Sequence, residues 1–257
     1  MFTDPDWPAG VDRIIFDSID STMLEARRQL ALGLTRPLWI LAHDQTAGHG
    51  RRGRAWTHPA GNFAGTVVFR PGGTPHSAGL RSFLMSNALR TALSAFVDPA
   101  RLGLKWPNDV LLDGGKIAGI LLESSAQGAA VDWLAIGVGV NLAMAPDSDG
   151  AAFAPVALGA VLGAHPPHPE VFLTHLARAF AAQEAIFATD GFAPIRNEWL
   201  KHAVMRGKTI TARLPNVTYE GRFDGIDDDG NLMLTCADGP RTIAAAEVHF
   251  GPAPHQP

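Results

Sequence analysis

Residues 102–141 read LGLKWPNDVLLDGGKIAGILLESSAQGAAVDWLAIGVGVN. Short β-rich runs cover Leu102–Trp106 and Val110–Leu112. Gly114-Gly115 then turns the chain into Lys116–Ser125, and Gln127-Gly128 turns it again into Val131–Val140. Strand follows strand across short turns, with no room for crossover helices. The pattern is a meander, so the spacing predicts an α+β fold rather than a doubly wound parallel sheet.

Upstream, Arg13–Ile19 reads as a strand and is followed by a helix. Thr22 and Glu25 have capping-box spacing at its start, and Gly33 would end it. Pro37–His43 reads as a buried strand, Phe63–Arg70 as another, and Gly72, Gly73 and Pro75 as a turn. Between Ala78 and Val97, apolar residues at Leu80, Phe83, Leu84, Ala88, Ala92 and Phe96 predict one helix. Downstream, Ala145–Pro169 is rich in Ala, Gly and Pro, with a short helix near Val156–Leu162. Helices are predicted over Pro169–Thr189 and Phe192–Lys201. Short β runs then cover Thr209–Leu214, Thr218–Phe223, Asn231–Thr235 and Arg241–Ala244, a spacing that suits a small barrel. The expected division is residues 1–204 and 205–257, with residues 1–12 a loose arm.

The 257 residues are 46% hydrophobic and 18% charged, enough for a sizeable core. A net charge of −4 argues against a general nucleic-acid surface, so any basic site must be local. Cys236 is the single cysteine and has no internal disulfide partner, which points to a reducing cytoplasm. No signal-peptide pattern opens the chain, and no apolar run approaches the ~20 residues of a membrane span.

The chemistry concentrates before and within the meander. Gln45–Trp56 reads QTAGHGRRGRAW, interleaving Gly48, Gly50 and Gly53 with Arg51, Arg52 and Arg54. Glycines allow close backbone approach, and arginine offers a planar fork to carboxylate or phosphate. Alone, such a run is more often a solvated loop. Here matching chemistry lies elsewhere in the chain. Lys105-Trp-Pro-Asn-Asp109 sets a cation, an amide and an acid between two strands, with Lys116 after the glycine turn. Gly137-Val-Gly-Val-Asn141 lacks the third glycine of a dinucleotide fingerprint. Gly207-Lys208-Thr209 lacks the first glycine of a P-loop, and Asp227–Asn231 reads as an acidic hairpin turn. His165 and His168 lie among prolines with no cysteine or carboxylate directly beside them, so no structural zinc site is expected.

Together, Asp17-Ser-Ile-Asp-Ser-Thr22, Gln45–Trp56, Lys105–Asp109, Lys116–Glu123 and Gly137–Asn141 resemble the biotin protein ligases over about residues 13 to 250. The resemblance implies a mixed sheet with helices, like the class II synthetases, plus an SH3-like C-terminal barrel. It implies ATP-dependent activation of biotin to biotinyl-5′-AMP, with Mg²⁺ accompanying ATP. Transfer to a lysine of the biotin carboxyl carrier protein of acetyl-CoA carboxylase would follow. By resemblance, Ser21, Thr22, Met23, Gln45, Gly48, His49, Gly50, Arg51, Lys116, Gly119, Leu121 and Gly139 hold biotin. Arg54, Trp56, Lys105, Asn108 and Asn141 hold ATP, with Trp56 stacking on adenine. Arg51, Lys116 and Asp109 are the catalytic candidates, Asp109 as partner of Arg51 and base for the incoming lysine. His49 stands where many relatives carry arginine. Too few residues precede the first matching strand for an N-terminal DNA-binding domain, and a homodimer through the central sheet is allowed. The rival expectations are a lipoate or octanoate ligase or transferase of the same superfamily, and a non-catalytic biotin-binding regulatory module.

Overall fold

The structure is a computed structural model and describes residues 6–147, 153–163, 165–244 and 247–250, without the side chains of Arg52, Glu247, His249 and Phe250. Its larger sheet has seven strands. They are β1 (Asp12–Ile19), β2 (Leu38–Gln45), β3 (Phe63–Phe69), β4 (Leu102–Lys105), β5 (Asp109–Leu112), β6 (Gly115–Gln127) and β7 (Ala130–Val140). The spatial order is β1-β2-β3-β7-β6-β5-β4, with β1 and β2 parallel and every other pair antiparallel. The meander expectation holds from β4 to β7, and the one parallel pair makes the sheet mixed. Parallel neighbours need a crossover, and α1 (Thr22–Ala31) supplies it.

Strand side chains alternate between faces, and here the two faces have different fates. Trp39, Leu41, Phe63, Val67, Ile120, Ile136 and Val138 join the main core. They meet α3 (Arg81–Leu93), α5 (Pro169–Asp190) and α6 (Phe192–His202) through residues such as Leu84, Leu89, Phe172 and Trp199. Phe63 and Phe172 pack edge to face at 5.1 Å. On the opposite face, α1 covers only one end of the sheet, where Met23 and Ala26 pack on Leu38, Ile40, Val68 and Ala135. The remainder of that face is left for a site.

Two local expectations fail for identifiable reasons. The capping box at Thr22 and Glu25 does not form. Ser21 is the N-cap and makes no side-chain cap, while the Thr22 hydroxyl is drawn to Gln45 and Thr66. The helix expected over 78–97 is divided into α2 (Pro75–Gly79) and α3. Thr74 and Ser77 form a reciprocal capping box at α2, and Phe96 lies beyond the end of α3. Gly33 does follow α1, at φ +88°. The short helix α4 spans Leu158–Leu162.

The C-terminal sheet is antiparallel, formed by β8 (Thr209–Arg213), β9 (Thr218–Ile226), β10 (Leu232–Cys236), β11 (Gly239–Ile243) and β12 (Glu247–Phe250). Its order is β11-β10-β9-β8-β12, and the two end strands do not pair with each other among the described residues. The small barrel is thus an open sheet, and β12 was not foreseen. The acidic turn is as read: the Asp227 carboxylate accepts from the backbone N–H groups of Asp229 and Asn231. The C-terminal sheet shares the main core through Ile210, Phe223, Leu232 and Val248. Trp106 Nε1 donates to Gly230 O at 3.0 Å, and Arg196 Nε to Ile226 O at 2.7 Å. No helix is long and apolar enough to cross a membrane.

Candidate active site

Strand register builds the floor of the site. Ala64 faces Gly139, Gly139 faces Gly119, Gly119 faces Asp109, and Asp109 faces Lys105. Cross-strand partners share a face, so these five residues form one row across β3, β7, β6, β5 and β4. The row is bare in the middle and charged at one end. It floors a cleft of about 750 Å³.

The glycines are required by what lies on them. A Cβ at Gly139 would overlap the Trp56 indole, and one at Gly119 would lie 3.2 Å from Trp56 Cζ3. In the next row, a Cβ at Gly137 would lie 2.9 Å from Met23 Sδ. At the α1 end the cleft is polar. Gln45 Oε1 accepts from Thr22 N at 2.9 Å and Thr22 Oγ1 at 3.1 Å, and Thr66 Oγ1 donates to Thr22 Oγ1 at 2.8 Å. These bonds fix the Gln45 amide with its NH₂ beside Gly48, where a side chain would collide with it. Ser21, Thr22 and Thr66 are buried.

The Gly/Arg run is a compact hairpin over this floor. Gly50 N donates to Arg54 O at 2.8 Å and Trp56 N to Gly48 O at 2.9 Å, with a 3-10 turn over Arg51–Gly53. Within it only Gly53 takes positive φ, +72°. Gly48 serves close approach instead. Arg51 NH1 donates to Asn108 Oδ1 at 3.2 Å, while Asn108 Nδ2 donates to Ile120 O at 2.6 Å. The hairpin is thereby tied to the sheet.

At the charged end, Lys116 Nζ lies 2.6 Å from Asp109 Oδ1, and Lys105 Nζ lies 3.2 Å from Asp109 Oδ2. Burial pushes the Asp109 carboxyl up, but Lys116 and Lys105 outweigh it and hold the carboxyl below its ordinary value. Burial pulls Lys105 down, with Asp109 opposing. Lys105 Nζ also stands 4.7 Å from the Phe153 ring centroid, and Lys116 Nζ 5.6 Å from that of Trp56. The pairing of Asp109 differs from the expected partnership with Arg51. Register brings two lysines to this carboxylate, and the Arg51 bond to Asn108 holds that arginine one residue away.

All the expected site residues except Gly48 line the cleft. Asp147, Phe153, Pro155 and Val248 line it too and were not foreseen. Lys116 N donates to Ala154 O and Val156 N to Lys116 O, both at 3.0 Å, which fixes the second loop beside Lys116. A lone aromatic in an Ala/Pro-rich stretch was the available signal for Phe153; for Val248 there was none. Asn141 is buried, its Nδ2 donates to Lys116 O at 3.4 Å, and its Oδ1 has no partner among the described residues. Away from the cleft, His168 lies beside Glu170, two residues on in sequence, and His43 of β2. His168 Nδ1 accepts from Glu170 N at 3.4 Å, capping α5, and His43 Nε2 lies 3.2 Å from Glu170 Oε1.

The cleft is thus hydrogen-bonding at the α1 end and cationic at the other. Residues 15–141 match the Biotin/lipoate A/B protein ligase family, and residues 207–251 match the Biotin protein ligase C terminal domain. A biotin–[acetyl-CoA-carboxylase] ligase of Paracoccus denitrificans is 52% identical, over 90% of this chain and 98% of its own length. The bifunctional ligase/repressor BirA of Bacillus subtilis is 29% identical, over 94% of this chain and 75% of its own length. The fold matches that of the Aquifex aeolicus biotin protein ligase in complex with biotin and ATP, with TM-score 0.76, 21% identity, and coverage of 92% of this chain and 97% of that one. The chain belongs to the biotin protein ligase family.

Proposed function

We propose that this protein is an ATP-dependent biotin–[acetyl-CoA-carboxylase] ligase working in the cytoplasm. The observation that carries the reading is the polarity of the cleft, neutral and hydrogen-bonding at one end and cationic at the other. The ureido ring of biotin, with one carbonyl and two N–H groups, suits Ser21, Thr22 and Gln45 at the closed end. Its chain passes Leu121 and Met23, beside the Trp56 indole that covers Gly119 and Gly139 and below His49 and Gly50. The carboxylate then reaches Arg51 and Lys116. A lipoyl ring offers no such hydrogen bonds, and a site with buried polar groups rejects a ligand that leaves them unpaired. This favours biotin over lipoate or octanoate.

ATP takes the cationic end. The unpartnered Asn141 Oδ1 is an acceptor suited to the amino group of adenine, and Trp56 and Phe153 offer aromatic faces. Arg54 and Lys105 hold phosphates, and Asn108 fixes Arg51. The biotin carboxylate attacks the α-phosphorus and pyrophosphate leaves. Lys116 and Arg51 lower the barrier by holding two anions together and by matching charge that grows at phosphorus. Asp109 fits the role of aiming Lys116 better than that of a base. A carboxylate stabilised by two lysines has little tendency to accept a proton from an ammonium group. Its oxygens are engaged by the lysines, so it does not fit a metal. Asp147 is the other described carboxylate in the cleft, and Mg²⁺ would ride mainly on phosphate oxygens and water.

In the second half-reaction the ε-amine of a carrier-protein lysine attacks the acyl carbon of the mixed anhydride and AMP leaves. Incubation with biotin, ATP and a biotin carboxyl carrier domain should add one biotinyl group to one lysine, read by intact mass and peptide mapping. An unmodified carrier domain under biotin and ATP, but lipoylation under lipoate and ATP, overturns the reading.

A further inference from the structure

The motif Lys116–Glu123 ends on an acid for which the reaction above has no use. Gly119, Leu121 and Glu123 alternate onto the same face of β6, and the first two line the cleft. Glu123 is the next residue along that line, opposite Ala135 of β7. Its Oε2 accepts from Arg27 Nε at 3.1 Å and NH2 at 2.8 Å, from the exposed side of α1. Its Oε1 lies 3.4 Å from His49 Nε2. That ring nitrogen must carry the hydrogen, because a carboxylate only accepts. His49 in turn bridges to Ala55 across the Gly/Arg hairpin. One carboxylate thus meets the sheet, the helix and the hairpin at the edge of the biotin half.

We infer that Glu123 is a positioning residue that latches the Gly/Arg hairpin shut over the adenylate through His49, with Arg27 aiming the carboxylate. The inference rests on the biotin ligase reading for its ligand. The mixed anhydride is useful only if it stays enclosed until the carrier lysine arrives, so the opening rate of the hairpin sets the fraction lost to water and to bystander amines. Arg51 ties the hairpin at the nucleotide half through Asn108. The Glu123 contact ties it at the other end. His49 and Glu123 side chains are 31% and 21% exposed, so the pair is partly screened and its effect is modest.

The test loads the full-length protein with biotin and ATP, removes free ligand, and follows loss of bound biotinyl-AMP and biotinylation of a bystander protein. Glu123→Ala and His49→Ala should each speed loss about fivefold, on the scale of one side-chain hydrogen bond. The double variant should lose it no faster than either single one. Exchange of pyrophosphate at saturating biotin should be unchanged in Glu123→Ala, and His49→Arg should retain the adenylate only while Glu123 is present. Loss at the wild-type rate in Glu123→Ala, or effects that multiply to about 25-fold in the double variant, overturn the latch. A latch without ligand is read separately by limited trypsin cleavage between residues 51 and 54. Equal cleavage of wild type and Glu123→Ala overturns it even where no adenylate forms, whereas wild type that makes no adenylate overturns the biotin reading alone.

Discussion

The cationic end of the cleft is built around Asp109, a buried carboxylate between two lysines. Lys116→Ala should lower biotin-dependent adenylation by 100-fold or more, about 3 kcal/mol of barrier, and should lower the melting temperature of a still-folded protein, because the buried Asp109 carboxylate keeps only Lys105. Asp109→Asn leaves two lysines without their shared anion and should cost about 3 kcal/mol or more of stability. It should slow adenylation as well as transfer, because Lys116 loses its aim; slowing of transfer alone from preformed biotinyl-AMP would restore the base role. The sign of the pH dependence follows from the depressed Asp109 carboxyl. Its stabilisation is present above the unfolded value of about 3.9 and is lost as pH falls through the lower folded value. Acid denaturation of wild type should therefore show a loss below about pH 4 that Asp109→Asn lacks. Motif spacing made Asp109, Lys116 and Asn141 legible in sequence. The partner of Asp109 was not, because the choice between Arg51 and two lysines is made by cross-strand register. Phe153 and Val248 arrive from segments whose own patterns say nothing about the cleft.

At the scale of elements, bare strand positions are as important to the site as charged ones. Gly139→Val should displace the Trp56 indole from the floor and raise the KM for biotin more than tenfold, while circular dichroism stays near wild type. An unchanged KM would mean that the indole does not sit there in solution. The hairpin should be cut by trypsin between residues 51 and 54 and protected by biotin. Strands and the long helices were legible because period-two and helical patterns are local. The Thr22 cap was not, since a hydroxyl satisfied by Gln45 and Thr66, 23 and 44 residues away, has no reason to serve its own helix. The break between α2 and α3 was hidden by apolar spacing that runs across it, although Thr74 and Ser77 carry the cap that starts α2.

For the whole molecule, the division at residue 204 marks a change of sheet within a continuous core. Trp106 bonds to Gly230, Arg196 bonds to Ile226, and Val248 reaches the cleft from the C-terminal sheet. Thermal unfolding followed by tryptophan fluorescence and by circular dichroism should give one coincident transition, and truncation after residue 204 should abolish stable folding. Composition showed a second β unit but not how much core it shares, since contacts such as Trp106 to Gly230 join residues 124 positions apart. On the proposed reading this cleft joins biotin to AMP. Isotope exchange between pyrophosphate and ATP measures that step without a carrier protein. Exchange that requires biotin, is not supported by lipoate and is lost in Lys116→Ala is the predicted result; no exchange with biotin, or exchange with lipoate alone, would contradict it.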